Sequence, residues 1–257
     1  MSDKEDIKNF YAKLTPFYHL IYEDWEKSIE NQAGRLNSII KENWGDNVSS
    51  ILDVSCGIGT QTLGLAGLGY KLSASDLSPD ECERAKAEAV KRGLEISFSI
   101  ADMREAYNHH AGQFDLVISC DNSVPHLLTD SDILSAFKQF YRCTRPGGGC
   151  LISVRDYEKE ESKGRRIVPY GTREENGIRY FIFQVWDFSG AVYDLSMYFV
   201  EDRGNDDCIT HVMRTKYYAV GISKLMTLLH AAGFSDVKRL DGKFFQPIII
   251  GTKKGNK

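Results

Sequence analysis

No C-x-x-C pair occurs in the chain. Its six cysteines, Cys56, Cys82, Cys120, Cys143, Cys150 and Cys208, are therefore spaced wrongly for a structural zinc site or a dithiol redox motif. Several sit in apolar strands, where a reduced thiol behaves as a small hydrophobe. No run of 18 apolar residues exists, which excludes a membrane-spanning helix. The first ten residues, MSDKEDIKNF, lack the apolar core of a secretory signal. Basic residues are not in excess: 32 Lys and Arg face 36 Asp and Glu, so the electrostatic footprint of a nucleic-acid binder is missing. No internal repeat or low-complexity linker divides the chain. A reduced cytoplasmic protein, partnered by neither membrane nor nucleic acid, is the expectation. Its 257 residues suffice for one α/β domain over residues 1–257, insertion included.

Strand and helix patterns alternate from residue 51 to Arg155. Apolar runs at 51–54, 70–75, 95–101, 114–120 and 150–154 read as strands. Helical stripes fall at 27–43, 63–67, 79–92 and 131–143. Ser78, Pro79 and Glu81 form a capping-box signature for the third of these helices, and RPGGG at 145–149 reads as a turn. This order predicts βαβ units and a parallel sheet. Beyond Arg155 the pattern changes to long aromatic and β-branched runs at 178–190, 191–202 and 208–220. They predict an antiparallel meander over the ligand site, within an insertion at 156–219. KGRR at 163–166 reads as a solvated loop or flap, and His109-His110 as a polar loop rather than a metal pair.

The loop ILDVSCGIGT, residues 51–60, leads from a strand into a helix. Gly57 and Gly59 are followed by Thr62, so the third glycine of a dinucleotide loop is missing. Loop amides and a helix N-terminus favour an anion, whereas Asp53 beside them favours a cation. An amino-acid head group carries both charges. Asp76, at the end of the second strand, is placed for ribose hydroxyls. Asp102 and Met103, at the end of the third, suit an adenine amino group and ring. Amino acid, ribose and adenine together describe S-adenosylmethionine.

On LDVSCGIG, ASDLSP, ADM, FDLVISC and RPGGG the chain resembles the class I S-adenosylmethionine-dependent methyltransferases. The resemblance implies a Rossmann-like seven-stranded mixed sheet flanked by helices, with an N-terminal helical lid at 1–44 and the inserted antiparallel cap. Ser55 stands where glycine is commonest. Leu77 and Cys120 join the implied cofactor contacts. CDNSVPHLL, SVRDYE, the Tyr217-Tyr218 stretch and FYHLIYEDW are similar to glycine N-methyltransferases. That likeness implies Asn122 and Arg155 on the acceptor's carboxylate, Tyr22 and Tyr217 around the transfer chamber, and Tyr18 near the methionine part. Asp121 departs from the family's glycine, and Ser28 or Ile29 falls where the family has an arginine.

Methyl transfer needs a neutral amine, so Asp121 or His126 is the candidate proton acceptor. Each residue also has a plainer reading: Arg155 paired with Asp156 or Glu158, Asn122 capping a turn, His126 opening a helix. The expected function is methyl transfer to a small-molecule acceptor, an amine or amino-acid-like compound such as glycine or sarcosine. O- or N-methylation of a sugar amine or heterocycle, and a non-catalytic S-adenosylmethionine-binding regulator, stay open. The aromatic meander can also serve as a homo-oligomer surface.

Overall fold

The apolar run at Ile51 forms the centre of the protein. In the computed structural model, which describes residues 3–159, 163–204 and 206–255, β1 (Ser50–Asp53) lies between β2 (Lys71–Asp76) and β4 (Phe114–Ser119), parallel to both. β3 (Ser97–Ile100) extends one side, and β5 (Thr144–Ser153), β11 (Ile248–Thr252) and β10 (Ser235–Leu240) extend the other. The seven-stranded order is β10-β11-β5-β4-β1-β2-β3, with β10 and β11 antiparallel to their neighbours. Helices cover both faces, so the central strands carry apolar runs: Ile51, Leu52, Val117, Ile118, Leu151 and Ile152 are fully buried. Each such side chain contributes about 1.5–3 kcal/mol relative to exposure.

The helices follow their sequence signals. α2 (Trp25–Trp44) buries Ile29, Ala33, Leu36, Ile39 and Ile40 along one stripe. α3 (Thr60–Gly67) packs on it at Gly64, where a Cβ would run into Ala33 and the Ile29 carbonyl. α6 (Asp130–Cys143) starts at Thr129, whose hydroxyl accepts from the Asp132 N–H, and it buries Ile133, Phe137 and Phe140. α4 (Pro79–Lys91) has half of the expected capping box. Ser78 accepts from the Glu81 N–H, but the Glu81 side chain turns towards Gly57.

Three local expectations are corrected. RPGGG is not a free turn but the first half of β5, with a register shift against β4 between Phe114 and Leu116. Its glycines serve close approach, because a Cβ on Gly149 would fall inside the Trp44 indole. His109 and His110 end a short helix, α5 (Ala106–His110), where the His110 ring bonds the Ser75 hydroxyl at 3.1 Å. KGRR is not a loop throughout, since Arg165 and Arg166 open a strand.

The meander has four strands: β6 (Arg165–Glu175), β7 (Ile178–Ser189), β8 (Val192–Asp202) and β9 (Cys208–Tyr218), antiparallel throughout. Residues 160–162 and 205 of the expected cap lie outside the described residues. Alternation sends Tyr180, Ile182, Trp186, Tyr193, Leu195, Met197 and Phe199 to one face. There they meet Phe10 and Leu14 of α1 (Asp3–Leu14) and Leu20 of the 3-10 segment Thr15–Ile21, forming one shared cluster. The N-terminal segment and the cap are thus a single lid with its own core.

Candidate functional site

The sheet changes direction between β1 and β4, and a ligand crevice is expected beyond those strand ends. Two adjoining cavities open there. The first is walled by Ser55, Cys56 and Gly57 after β1, Asp76 and Leu77 at the end of β2, Asp102 and Met103 beyond β3, and Cys120 beyond β4. Its cover is N-terminal: Lys4, Tyr11, Tyr18 and Tyr22. The second cavity, about 760 Å³, lies under the meander, with Tyr170, Trp186, Met197 and Tyr217 in its wall. The meander therefore roofs the second cavity and contributes nothing to the wall of the first, which corrects its expected position over the cofactor. Tyr11, Tyr18, Tyr22 and Asp121 line both cavities and form the passage between them.

Gly57 has φ +52°, and its N–H donates to Asp76 Oδ2 at 2.9 Å. Asp76 Oδ1 accepts from the Ser78 N–H at 2.9 Å. This pins the carboxylate at the cavity wall. Asp53 has a different place from the one expected. Its Oδ2 accepts from Thr62 Oγ1 at 2.7 Å, its Oδ1 from the Ser55 N–H at 3.1 Å, and it does not line the cavity. Burial pushes its carboxyl up to about 7, against those two bonds. Thr62, at the position of the missing glycine, is thus the partner that turns Asp53 inward. Gly59 also lies off the cavity wall. It caps α3 at φ +96°, and a Cβ there would crowd Leu63 and Ala85. Asp102 is held by Arg104 and by Lys4 Nζ at 2.7 Å; although burial works the other way, these bonds bring its carboxyl down to about 2.

At the passage, Asp121 (φ +55°) and Asn122 (φ +64°) are consecutive left-handed residues. Asp and Asn tolerate this conformation best among residues with a side chain. Bonds to β5 hold the pair: the Asp121 N–H donates to Ser153 Oγ at 2.8 Å and the Asn122 N–H to the Ser153 carbonyl at 3.0 Å. Asp121 Oδ2 accepts from the Tyr22 hydroxyl and Oδ1 from Gln246 Nε2, both at 3.2 Å. Burial raises its carboxyl above the ordinary value. The Asn122 amide accepts from the Arg155 N–H at 3.0 Å and donates to the Tyr157 hydroxyl at 2.9 Å, so it fixes the loop rather than capping a turn.

Arg155 points into the second cavity. Its guanidinium donates to the Tyr170 hydroxyl at 3.2 Å and the Tyr193 hydroxyl at 3.5 Å, and stacks 4.9 Å above the Trp186 ring. Among the described residues no carboxylate bonds it. Asp156 is taken by Arg239 and Lys159, and Glu158 accepts from the Ser223 N–H. His126 is buried; its Nε2 shares a 2.7 Å hydrogen bond with the Tyr11 hydroxyl and its ring lies 4.1 Å from that of Tyr217. Burial brings the imidazole down to about 3, so it is neutral at neutral pH.

Sequence reasoning missed Tyr11, Glu81, Tyr170, Trp186 and Gln246. Tyr11 was findable: Tyr11, Tyr18 and Tyr22 repeat at helical spacing beside the segment already singled out. Gln246 carries no local signal, because it reaches Asp121 from the far end of the chain.

Residues 51–148 match the family described as "Methyltransferase domain". The stretch spans β1 to the start of β5 and so includes every strand end in the wall of the first cavity. Over this part the chain is similar to a methyltransferase domain. A glycine/sarcosine N-methyltransferase of Parasynechococcus marenigrum is 27% identical over 188 residues, covering 68% of this chain and 65% of that protein. The chain spans between about half and two thirds of the length of the first curated relatives it matches. Among solved structures, Streptomyces venezuelae DesVI superposes with TM-score 0.81 at 18% identity, over 92% of this chain and 97% of that one. CalS10, an amino pentose methyltransferase from Micromonospora echinaspora, superposes with TM-score 0.76 at 17% identity, over 88% and 92% of the two chains. At these identities the likeness is one of fold, and it includes the lid.

Proposed function

We propose that the protein transfers the methyl group of S-adenosylmethionine to the nitrogen of a small amine that also carries an anionic group. The observation that carries this reading is Arg155: a guanidinium held in place by two hydroxyls and an indole, facing a cavity, bonded by no carboxylate among the described residues and felt by Asp121 only through space. A planar guanidinium suits a carboxylate because it donates two parallel hydrogen bonds. Asp121, in the passage between the cavities, is the complementary acid for the amine.

The residues of the first cavity fit the cofactor. Asp76 keeps lone pairs free for ribose hydroxyls, and Leu77 and Met103 would flank the adenine; the Ser55, Cys56 and Gly57 peptide N–H groups are already bonded to Asp53, the Ser75 carbonyl and Asp76 and shape the loop instead. When bound, S-adenosylmethionine supplies an electrophilic methyl on a sulfonium, and the reaction needs an aligned neutral nucleophile rather than a covalent enzyme intermediate. Arg155 anchors the acceptor's anionic end. Asp121 takes the ammonium proton, since its raised proton affinity matches that task and Tyr22 and Gln246 hold its two oxygens. His126 binds protons too weakly for the same role and positions Tyr11 and Tyr217 instead. The lid keeps water from the passage.

A second reading has its own support. A cavity of about 760 Å³ is in the range of drug-sized ligands and exceeds what glycine or sarcosine fills, and CalS10 is by name an amino pentose methyltransferase. The deciding experiment screens amino acids, N-methyl amino acids, amino sugars and simple amines for S-adenosylhomocysteine release. Turnover confined to carboxylate-bearing amines supports the first reading. Turnover of amino sugars alone supports the second, and binding of S-adenosylmethionine without any turnover would make the protein a cofactor-binding regulator.

A further inference from the structure

Glu81 is a buried acid that the cap of α4 does not use. Its side chain is 1% exposed, and Oε1 has no hydrogen-bond partner. It packs beside Gly57 in the wall of the first cavity: a Cβ on Gly57 would lie 3.7 Å from Oε2, 3.8 Å from Oε1 and 3.7 Å from the Tyr18 ring. Arg84, one turn along the helix, donates to the Thr15 carbonyl and acts on Glu81 only through space. The other charges in the wall are arranged differently. Asp102 is paired with Lys4 and Arg104, and Asp132 with Arg104. Asp76 is bound by peptide N–H groups, and Asp121 by Tyr22 and Gln246. Keeping a carboxyl without a hydrogen-bond partner on one oxygen in such a place is costly; burial and then Asp76 raise its proton affinity, the Arg84 charge lowers it, and a positive ligand beside it favours the ionised form.

We propose that Glu81 sets the preference of this site for the charged sulfonium donor over the neutral thioether product. The proposal rests on the reading of the first cavity as the S-adenosylmethionine site. Donor and product share adenine, ribose, carboxylate and ammonium. They differ by one methyl group and one positive charge. A wall residue that bonds only the shared parts changes both affinities by the same factor. A buried carboxyl that an incoming cation draws into its ionised form also acts on the charge, and so changes their ratio. The consequence for turnover is easier escape of product once the charge has left the sulfur.

The test is calorimetric titration of wild type, Glu81→Gln and Glu81→Met with S-adenosylmethionine and, separately, S-adenosylhomocysteine. Thermal unfolding verifies that each variant is folded, and the methionine variant fills the same space without a polar group. The expected result is a donor affinity reduced about tenfold more than the product affinity, in either folded variant. Equal losses for both ligands, or no loss, would overturn the proposal and leave the site assignment standing. Wild-type protein that binds neither ligand would overturn both.

Discussion

Replacing Arg155 by leucine separates function from folding. In the structure the guanidinium is held by Tyr170 and Tyr193 and stacks on Trp186, yet no carboxylate among the described residues bonds it, and Asp121 acts on it only through space. An enclosed charge without an ion partner costs stability. Leucine removes that cost while giving up two hydrogen bonds to neutral hydroxyls, each worth about 1 kcal/mol net, and the stacking on the indole, worth about 0.5–2 kcal/mol. Tyr193 keeps its bond to the Tyr157 hydroxyl at 2.9 Å. The two changes offset each other, so the melting temperature should stay within a few degrees of wild type or rise. The acceptor's anionic group, by contrast, loses a charged hydrogen-bond partner worth about 1.5–3 kcal/mol. That is a fall of about tenfold to more than a hundredfold in kcat/KM. Arg155→Lys should recover little, because an ammonium neither forks to a carboxylate nor stacks on the indole. The assay is S-adenosylhomocysteine release over a range of acceptor concentrations, with S-adenosylmethionine affinity measured alongside and expected to be unchanged. Equal kcat/KM in wild type and the leucine variant would refute the anionic-acceptor reasoning and favour a sugar amine.

Asp76→Ala should weaken S-adenosylmethionine binding by about 1.5–3 kcal/mol for the lost charge-assisted ribose contact; calorimetry showing wild-type affinity would contradict the placement. Gly149→Ala should destabilise the fold by about 1–3 kcal/mol through overpacking against Trp44, as read from denaturant midpoints, and an unchanged midpoint would show that α2 yields freely. Asp53 titrates near 7 in the fold against an ordinary 3.8, so between those values the folded state holds the extra proton and stability falls as pH rises. Asp53→Asn should remove that part of the slope between pH 4 and pH 7 in a stability–pH profile while sparing cofactor affinity. A profile parallel to wild type rejects it.

The α/β core was legible because its signals are local. Apolar runs of strand length alternate with stripes of helical period, and that order dictates a parallel sheet. The first meander strand was not. RRIVPYGTREE interrupts its alternation with Pro169, Gly171 and five charged residues, which reads as loop. In the structure it is an edge strand, where proline is tolerated, and its register against β7 shifts between Pro169 and Gly171. The glycines of RPGGG misled in the opposite sense. They looked like turn residues, but what they supply at Gly149 is room for an indole from α2, a contact no local window contains.

Site residues were legible to the extent that strand ends define them. A carboxylate at the end of β2 or β3 can only sit at the crevice, and Asp76 and Asp102 do. What the sequence does not encode locally is the direction of a side chain. Asp53 and Glu81 exchange their expected roles for this reason: the acid assigned to the ligand is turned inward by Thr62, and the acid assigned to a helix cap is turned towards Gly57. The same limit applies to the lid. Tyr11, Tyr18 and Tyr22 line the passage from the N-terminal segment, and Tyr217 lines the second cavity from the meander. Phe10, Leu14 and Leu20 pack into the core of that meander. The segment covering the first cavity and the sheet roofing the second therefore share one hydrophobic core.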